Sequence, residues 1–231
     1  MQLDDRLKAV AAFARGGKTV ADIGTDHAYV AVQVLLDGAD KVIAADLNAG
    51  PCESARRTIA ENGCEDKIEV RQGDGLAVLS PGEVDTVCIA GMGGELITLI
   101  LGARPEITDS ISRLVLQPMN DPPLVRAWLY EHGWVIADEA LAKADGKLYE
   151  VICAKHGQGI VPTGVMLEIG EKLWENRPPL LEEHIRSKLK KKKTILQGMS
   201  QSANAKETER YRVLLAEKEE LEAKLACLNV R

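Results

Sequence analysis

The sequence predicts a doubly wound, Rossmann-like α/β sheet of seven strands, followed by a C-terminal α-helical coiled-coil hairpin. Three observations carry that prediction. Short apolar runs alternate with segments of helical period over the first two thirds of the chain, a final pair of runs is joined by only AKADG, and strand signals cease after GQGIVPTG (157–164).

Taken in order, the strand-like runs are KTVADIG (18–24), DKVIAADL (40–47), KIEVRQGD (67–74), VDTVCIAG (84–91), SRLVLQPM (112–119), WVIADEAL (134–141) and KLYEVICAK (147–155). Helix-like segments at 28–37, 51–62 and 94–103 lie among the first five, and one at 122–132 follows them. Strand–helix–strand repeats require crossover connections, and hence a mostly parallel sheet. The link between the last two runs is too short for a crossover, so these two form an antiparallel hairpin at the sheet edge. This is the arrangement typical of class I methyltransferases. In such sheets ligands bind beyond the carboxyl ends of the strands, where strand order reverses. Those ends carry Asp22, Asp46, Asp74 and Gly91.

Beyond residue 160 two helical stretches flank GMSQSAN (198–204). Leu181, Ile185, Leu189, Leu196 and Met199 fall on a 3/4 spacing in the first, with Lys192 filling the gap; Tyr211, Leu214, Leu221, Leu225 and Leu228 do so in the second, with Lys218 as the polar intruder. The expected division is therefore a strand-bearing domain over 1–160 and a helical coiled-coil arm over 161–231, the seam alone saying nothing about function. Charge is segregated between them. Residues 1–160 hold 15 Lys and Arg against 24 Asp and Glu, a net of −9, whereas residues 161–231 hold 14 against 11, a net of +3. A basic helical segment on an acidic body suits a polyanionic partner, with the run SKLKKKK (187–193) as its densest charge.

Composition limits the remaining classes. The chain of 231 residues is 45% hydrophobic and 28% charged, which describes a globular protein. No apolar run approaches the roughly 18 residues of a membrane span, and MQLDDRLKAV lacks a signal-peptide core. A cytoplasmic protein with no membrane partner is expected. Cys52, Cys64, Cys88, Cys153 and Cys227 and the four histidines show no metal-ligand spacing, so no metal is expected and the cysteines read as structural thiols.

The turn after the first strand discriminates between cofactors. A dinucleotide needs close backbone approach and a helix N-terminus free of negative charge, supplied by three glycines. Here only Gly24 is present, and Asp26 would repel a pyrophosphate. S-adenosyl-L-methionine carries no phosphate but does carry a sulfonium and an amino group, so acids favour it. On this reading Gly24 lets the backbone approach the cofactor, Asp22 holds the turn or the ammonium group, Asp46 takes the ribose hydroxyls and Asp74 lies at the adenine edge. The glycines of GMGG, Gly91 to Gly94, give a turn without bulk except at Met92.

VADIGTDHAYV, ADLNAGPCESARRTIAENG, RQGDGLAVL, IAGMGGELI and LVLQPMND resemble the bacterial tRNA (adenine(22)-N(1))-methyltransferases, and the resemblance extends over nearly the whole chain. Ala31 stands where a Pro often follows the HAY segment, and Met119 precedes Asn120 where Asn commonly follows QP directly. The resemblance implies S-adenosyl-L-methionine held by Asp22, Gly24, Thr25, Asp46, Leu47, Asn48, Asp74, Gly75, Ala90, Gly91 and Gly93. It also implies tRNA, not DNA, as the partner, and N1 of an adenine as the acceptor, the position in tRNA resting on resemblance alone. A monomer is expected, a dimer being the alternative.

N1 of adenine has an available lone pair, so no strong base is needed at the attacking atom. The base must be unpaired and its edge aligned with the methyl group. Asp26, His27, Tyr29, Met92 and Asn120 form the expected catalytic set. Asp26 serves either the amino group on C6 or the cofactor, Tyr29 stacks on the base or caps the core, His27 donates, and Gln117 and Asn120 offer amides. A single Phe excludes an aromatic platform for several bases, which leaves phosphate contacts and shape. Two other readings remain: a small-molecule methyltransferase dimerised by its coiled coil, and a non-catalytic interaction protein on the same scaffold.

Overall fold

The computed structural model describes residues 3–201 and 203–228; Ser202, the first two and the last three residues lie outside them. The chain divides into two compact units, Met1–Ile160 and Val161–Arg231.

In the first unit the seven strands are β1 (Thr19–Ile23), β2 (Lys41–Asp46), β3 (Ile68–Gln72), β4 (Thr86–Met92), β5 (Arg113–Pro118), β6 (Trp134–Ala144) and β7 (Lys147–His156). They lie side by side in the order β3-β2-β1-β4-β5-β7-β6. The first five are parallel, and β7 is antiparallel to both β5 and β6. Strand order reverses between β1 and β4, which places the crevice there. The last two strands run closer together than the AKADG link suggests. They pair from Ala144↔Lys147, leaving Asp145 and Gly146 as a two-residue turn with φ of 49° and 72°, the left-handed pair that hairpin twist demands.

The helices are α1 (Asp5–Ala14), α2 (Tyr29–Leu36), α3 (Ala49–Glu61), α4 (Gly94–Ala103), α5 (Pro105–Thr108) and α6 (Pro122–Glu131). Side chains alternate across each strand, so the sheet feeds two cores. Val20, Val42, Ala44, Cys88 and Val115 face Val10 and Ala14 of α1, Val30 of α2 and Ile59 of α3. Ala21, Ile43, Ile89, Leu114 and Leu116 face Ile97 and Leu101 of α4, Ile107 of α5 and Leu129 of α6. The helix α1 is not among the sequence expectations. Its N-cap, Asp4, accepts a 2.7 Å hydrogen bond from the Leu7 amide. A buried charged group, also unanticipated, ties α6 to the hairpin: Arg126 reaches Glu139 of β6 and Glu150 of β7, both at 2.7 Å.

The second unit contains α7 (Met166–Ile169), α8 (Glu171–Asn176), α9 (Leu181–Met199) and α10 (Glu209–Leu228). Leu181, Ile185, Leu189, Leu196 and Leu221 are buried along the α9–α10 seam, as the spacing anticipates, while Met199, Tyr211, Leu214, Leu225 and Leu228 are half-buried. Lys192 fills its gap as a charge. Burial opposes its protonation, but 2.6 Å contacts to Glu168 and Glu217 outweigh it and hold the amine above its ordinary value. Cys52, Cys64, Cys88 and Cys153 are buried free thiols, whereas Cys227 is exposed. Among the described residues no helix is long and apolar enough to cross a membrane.

Candidate active site

At the carboxyl end of β1 the chain makes a turn that few sequences tolerate. Gly24, Asp26 and Ala28 all have positive φ, at 76°, 49° and 57°. The latter two carry the steric penalty of left-handed backbone. The turn is tied down from outside, because the Gly24 and Thr25 amides both donate to the Ala45 carbonyl of β2, at 2.8 and 3.0 Å. Strain held by neighbouring structure in this way is characteristic of functional sites.

Asp22 sits beneath the turn, buried, with Thr25 Oγ1 donating to its Oδ2 at 2.7 Å. Burial pushes its pKa up to about 6 against the opposing pull of the Thr25 and Ala31 hydrogen bonds. Above it, Asp26, His27 and Tyr29 stand at the mouth. Asp26 is largely exposed, its Oδ1 3.7 Å from His27 Nε2, and the His27 and Tyr29 rings stack with centroids 5.4 Å apart.

Two adjoining lobes open around Gly24. The larger, about 460 Å³, is lined by Asp22, Gly24, Thr25, Asp26, His27, Tyr29, Ala90, Gly91 and Met119, with Asp4, Arg6 and Leu7 of α1 and Val30 of α2. The smaller, about 220 Å³, is lined by Gly24, Asp46, Leu47, Asn48, Asp74, Gly75 and Met92, with Ile23, Ala45, Gly73, Leu96 and Ile100. Met92 lies over Gly24, and a Cβ there would collide with its terminal methyl. Glycine is thus required twice, for its φ and for this close approach. Asp46 Oδ1 accepts from the Asn48 amide at 2.9 Å, and Oδ2 has no partner among the described residues. Asp74 is exposed at the start of the 3₁₀ turn Gly75–Val78.

Gly91 is not simply the first residue of a turn. Strand β4 continues through Met92, and the register with β5 slips between Ala90 and Met92, so Gly91 at φ 80° is the extra residue of a bulge. Its amide donates to Gln117 Oε1 at 3.1 Å, and the same oxygen accepts from Arg6 Nη1 at 2.8 Å. Gln117 is wholly buried and so does not offer a free amide to a ligand; it holds a cation at the crevice instead. Arg6, which also lies 5.6 Å from the Tyr149 ring, lines the larger lobe and is the candidate side chain that sequence reasoning misses. The Asn120 side chain likewise turns away from the role expected of it. It lines neither lobe, and its Oδ1 accepts from the Gly94 amide at 3.0 Å at the start of α4. Gly93 also lines neither lobe and packs against Asn120.

The residues present suit a cationic, phosphate-free nucleoside. The bare Gly24 cradle, the free carboxylate edge of Asp46 and the acids along both lobes are the donor and acceptor set it needs. The fold and crevice define a class I methyltransferase, and a methyltransferase-domain family profile matches residues 3–152. The chain is 36% identical over 228 residues to the tRNA (adenine(22)-N(1))-methyltransferase of Bacillus subtilis (strain 168), covering 96% of this chain and 95% of that one. The crystal structure of B. subtilis m1A22 tRNA methyltransferase TrmK superimposes with a TM-score of 0.84 at 34% identity, covering 97% of this chain and 99% of that one. Streptococcus pneumoniae Sp1610, solved in complex with S-adenosyl-L-methionine, gives 0.85 at 29% identity over 97% and 100%. The chain belongs to the tRNA (adenine(22)-N(1))-methyltransferase family.

Proposed function

We propose that this protein transfers a methyl group from S-adenosyl-L-methionine to N1 of adenine 22 in tRNA. The observation that carries the reading is a single crevice at the strand-order reversal, with Asp22, Asp46 and Asp74 ranged along its two lobes around the bare Gly24 turn. Full-length similarity to the B. subtilis enzyme supports the acceptor.

When bound, S-adenosyl-L-methionine supplies an electrophilic methyl group on a sulfonium. In the smaller lobe Asp46 would take the ribose hydroxyls through its free oxygen, and Asp74 with Gly75 and Leu47 would receive the adenine end. Thr25 and Asp22 fix the turn, and the Asp22 charge favours the positive methionine end. Arg6, oriented by Gln117, would receive the cofactor carboxylate. At the mouth, Tyr29 and His27 present a stacked pair against which the target base can lie, and Asp26 accepts from its C6 amino group as positive charge arrives on the ring. Asn120 acts at one remove, by setting the start of α4 beside the bulge.

Incubation of the full chain with labelled cofactor and tRNA tests the reading, since methylation at N1 blocks base pairing and stops primer extension at that nucleotide. Cofactor binding without transfer to tRNA would favour a small-molecule methyltransferase. Absence of cofactor binding would favour an interaction protein.

A further inference from the structure

In the second unit, Arg177 Cζ lies 4.6 Å and Lys224 Nζ 4.7 Å from the centroid of the Trp174 indole. Trp174 is half-buried on α8, next to the wholly buried Leu173. Arg177 caps that helix in a left-handed conformation, φ 47° and ψ 57°, and is followed by Pro178 and Pro179. Its side chain therefore leaves the backbone from a constrained position. Lys224 arrives from α10. Glu220, one turn before it, accepts from the Val165 amide at 3.4 Å.

We propose that Trp174, Arg177 and Lys224 form a clamp for the phosphate backbone of tRNA. The inference rests on the reading of the chain as a tRNA methyltransferase and names the contact through which the second unit holds RNA. The lysine run that the sequence singles out is partly neutralised: Lys192 is buried between Glu168 and Glu217, and Lys193 meets Glu222 at 2.9 Å. Arg186 pairs with Glu182 and Lys218 with Glu222. Arg177 and Lys224 have no carboxylate within ion-pairing distance among the described residues. An indole face holds a cation by its quadrupole and carries no net charge, so both side chains are immobilised with their charge undiminished. Rotamer freedom is restricted before the ligand arrives, and the guanidinium fork suits phosphate oxygens.

The test measures binding of a tRNA transcript to the full chain between 50 and 200 mM salt, alongside binding of S-adenosyl-L-methionine. For Arg177→Gln/Lys224→Gln the slope of log K against log[salt] should become shallower by roughly 1.4 to 1.8, the loss of two phosphate contacts at about 0.7 to 0.9 each. Cofactor affinity should be unchanged, and the charge-preserving Arg177→Lys/Lys224→Arg should keep the wild-type slope. A wild-type slope and affinity in the Gln pair would overturn the clamp while leaving tRNA methylation by the wild type intact. If the wild type neither bound nor methylated tRNA, the functional reading and the clamp would fall together. A measurement on the unaltered protein guards against misfolding of the variants. Bound tRNA should protect Lys224 from acetylation and leave Lys67, at the amino end of β3, labelled as before; equal labelling of Lys224 with and without tRNA would overturn the proposal.

Discussion

Asp22 is kept as a buried carboxylate, and burial raises its pKa from 3.8 to about 6. A shift of that size corresponds to about 3 kcal/mol. Because the folded value lies above the unfolded one, this group's contribution to stability is complete below about pH 4 and is lost as pH rises through about 6. Asp22→Asn should therefore raise the urea midpoint at pH 7.5, flatten its pH dependence between 4 and 6, and weaken cofactor binding. An unchanged midpoint at pH 7.5 would mean that the carboxylate is not destabilising the fold. Asp46→Ala should weaken S-adenosyl-L-methionine by roughly 2–4 kcal/mol in calorimetry, the scale of losing charged hydrogen bonds; wild-type affinity in a folded variant would remove Asp46 from the site. Asp26→Ala should lose methyl transfer far more than cofactor affinity, and equal losses would move Asp26 to the cofactor side. These acids are legible in the sequence because strand ends can be located from apolar runs. Arg6 is not legible: its partner Gln117 lies 111 positions away, and only the fold brings α1 to the end of β5.

The strands were readable as elements because a buried parallel strand is a short unbroken apolar run, and each of the seven forms within a few residues of its expected place. Their ends were not, since pairing rather than composition stops a strand: β6 reaches Ala144 and β4 passes through a glycine bulge to Met92. Among the helices, α1 escaped because its alanine-rich stretch carries little periodic contrast; what defines it is the Asp4 cap and the sheet face it covers. The contact that fixes α6 against the hairpin was invisible for a similar reason, as Arg126, Glu139 and Glu150 read as ordinary surface charges until the chain folds. Removing the cation would leave two carboxylates buried against apolar walls. Arg126→Met should accordingly destabilise the first unit by about 3–5 kcal/mol in urea denaturation. A loss below about 1 kcal/mol would show that solvent reaches the carboxylates when the guanidinium is removed.

At the scale of the whole chain, the two units differ in what they can bind. Both large cores draw only on residues up to Ala154, and every proposed cofactor residue precedes Gly94, so the first unit contains its own hydrophobic cores and its own crevice. It is also strongly acidic, at −9, a charge that opposes a polyanion, whereas the second unit carries +3. The proposed division of labour is cofactor binding by residues before the boundary and attraction of tRNA by residues after it, which makes truncation at the boundary its test. Ending the chain at Thr163 should leave S-adenosyl-L-methionine binding close to the full-length value while tRNA binding and methylation collapse. Calorimetry with the cofactor and transfer of labelled methyl to tRNA, run on the same truncated sample, make the comparison internal, because retained cofactor affinity certifies the fold of the surviving unit. Methylation at the full-length rate would assign the helical unit to oligomerisation and route the RNA over the strand-end face of the first unit.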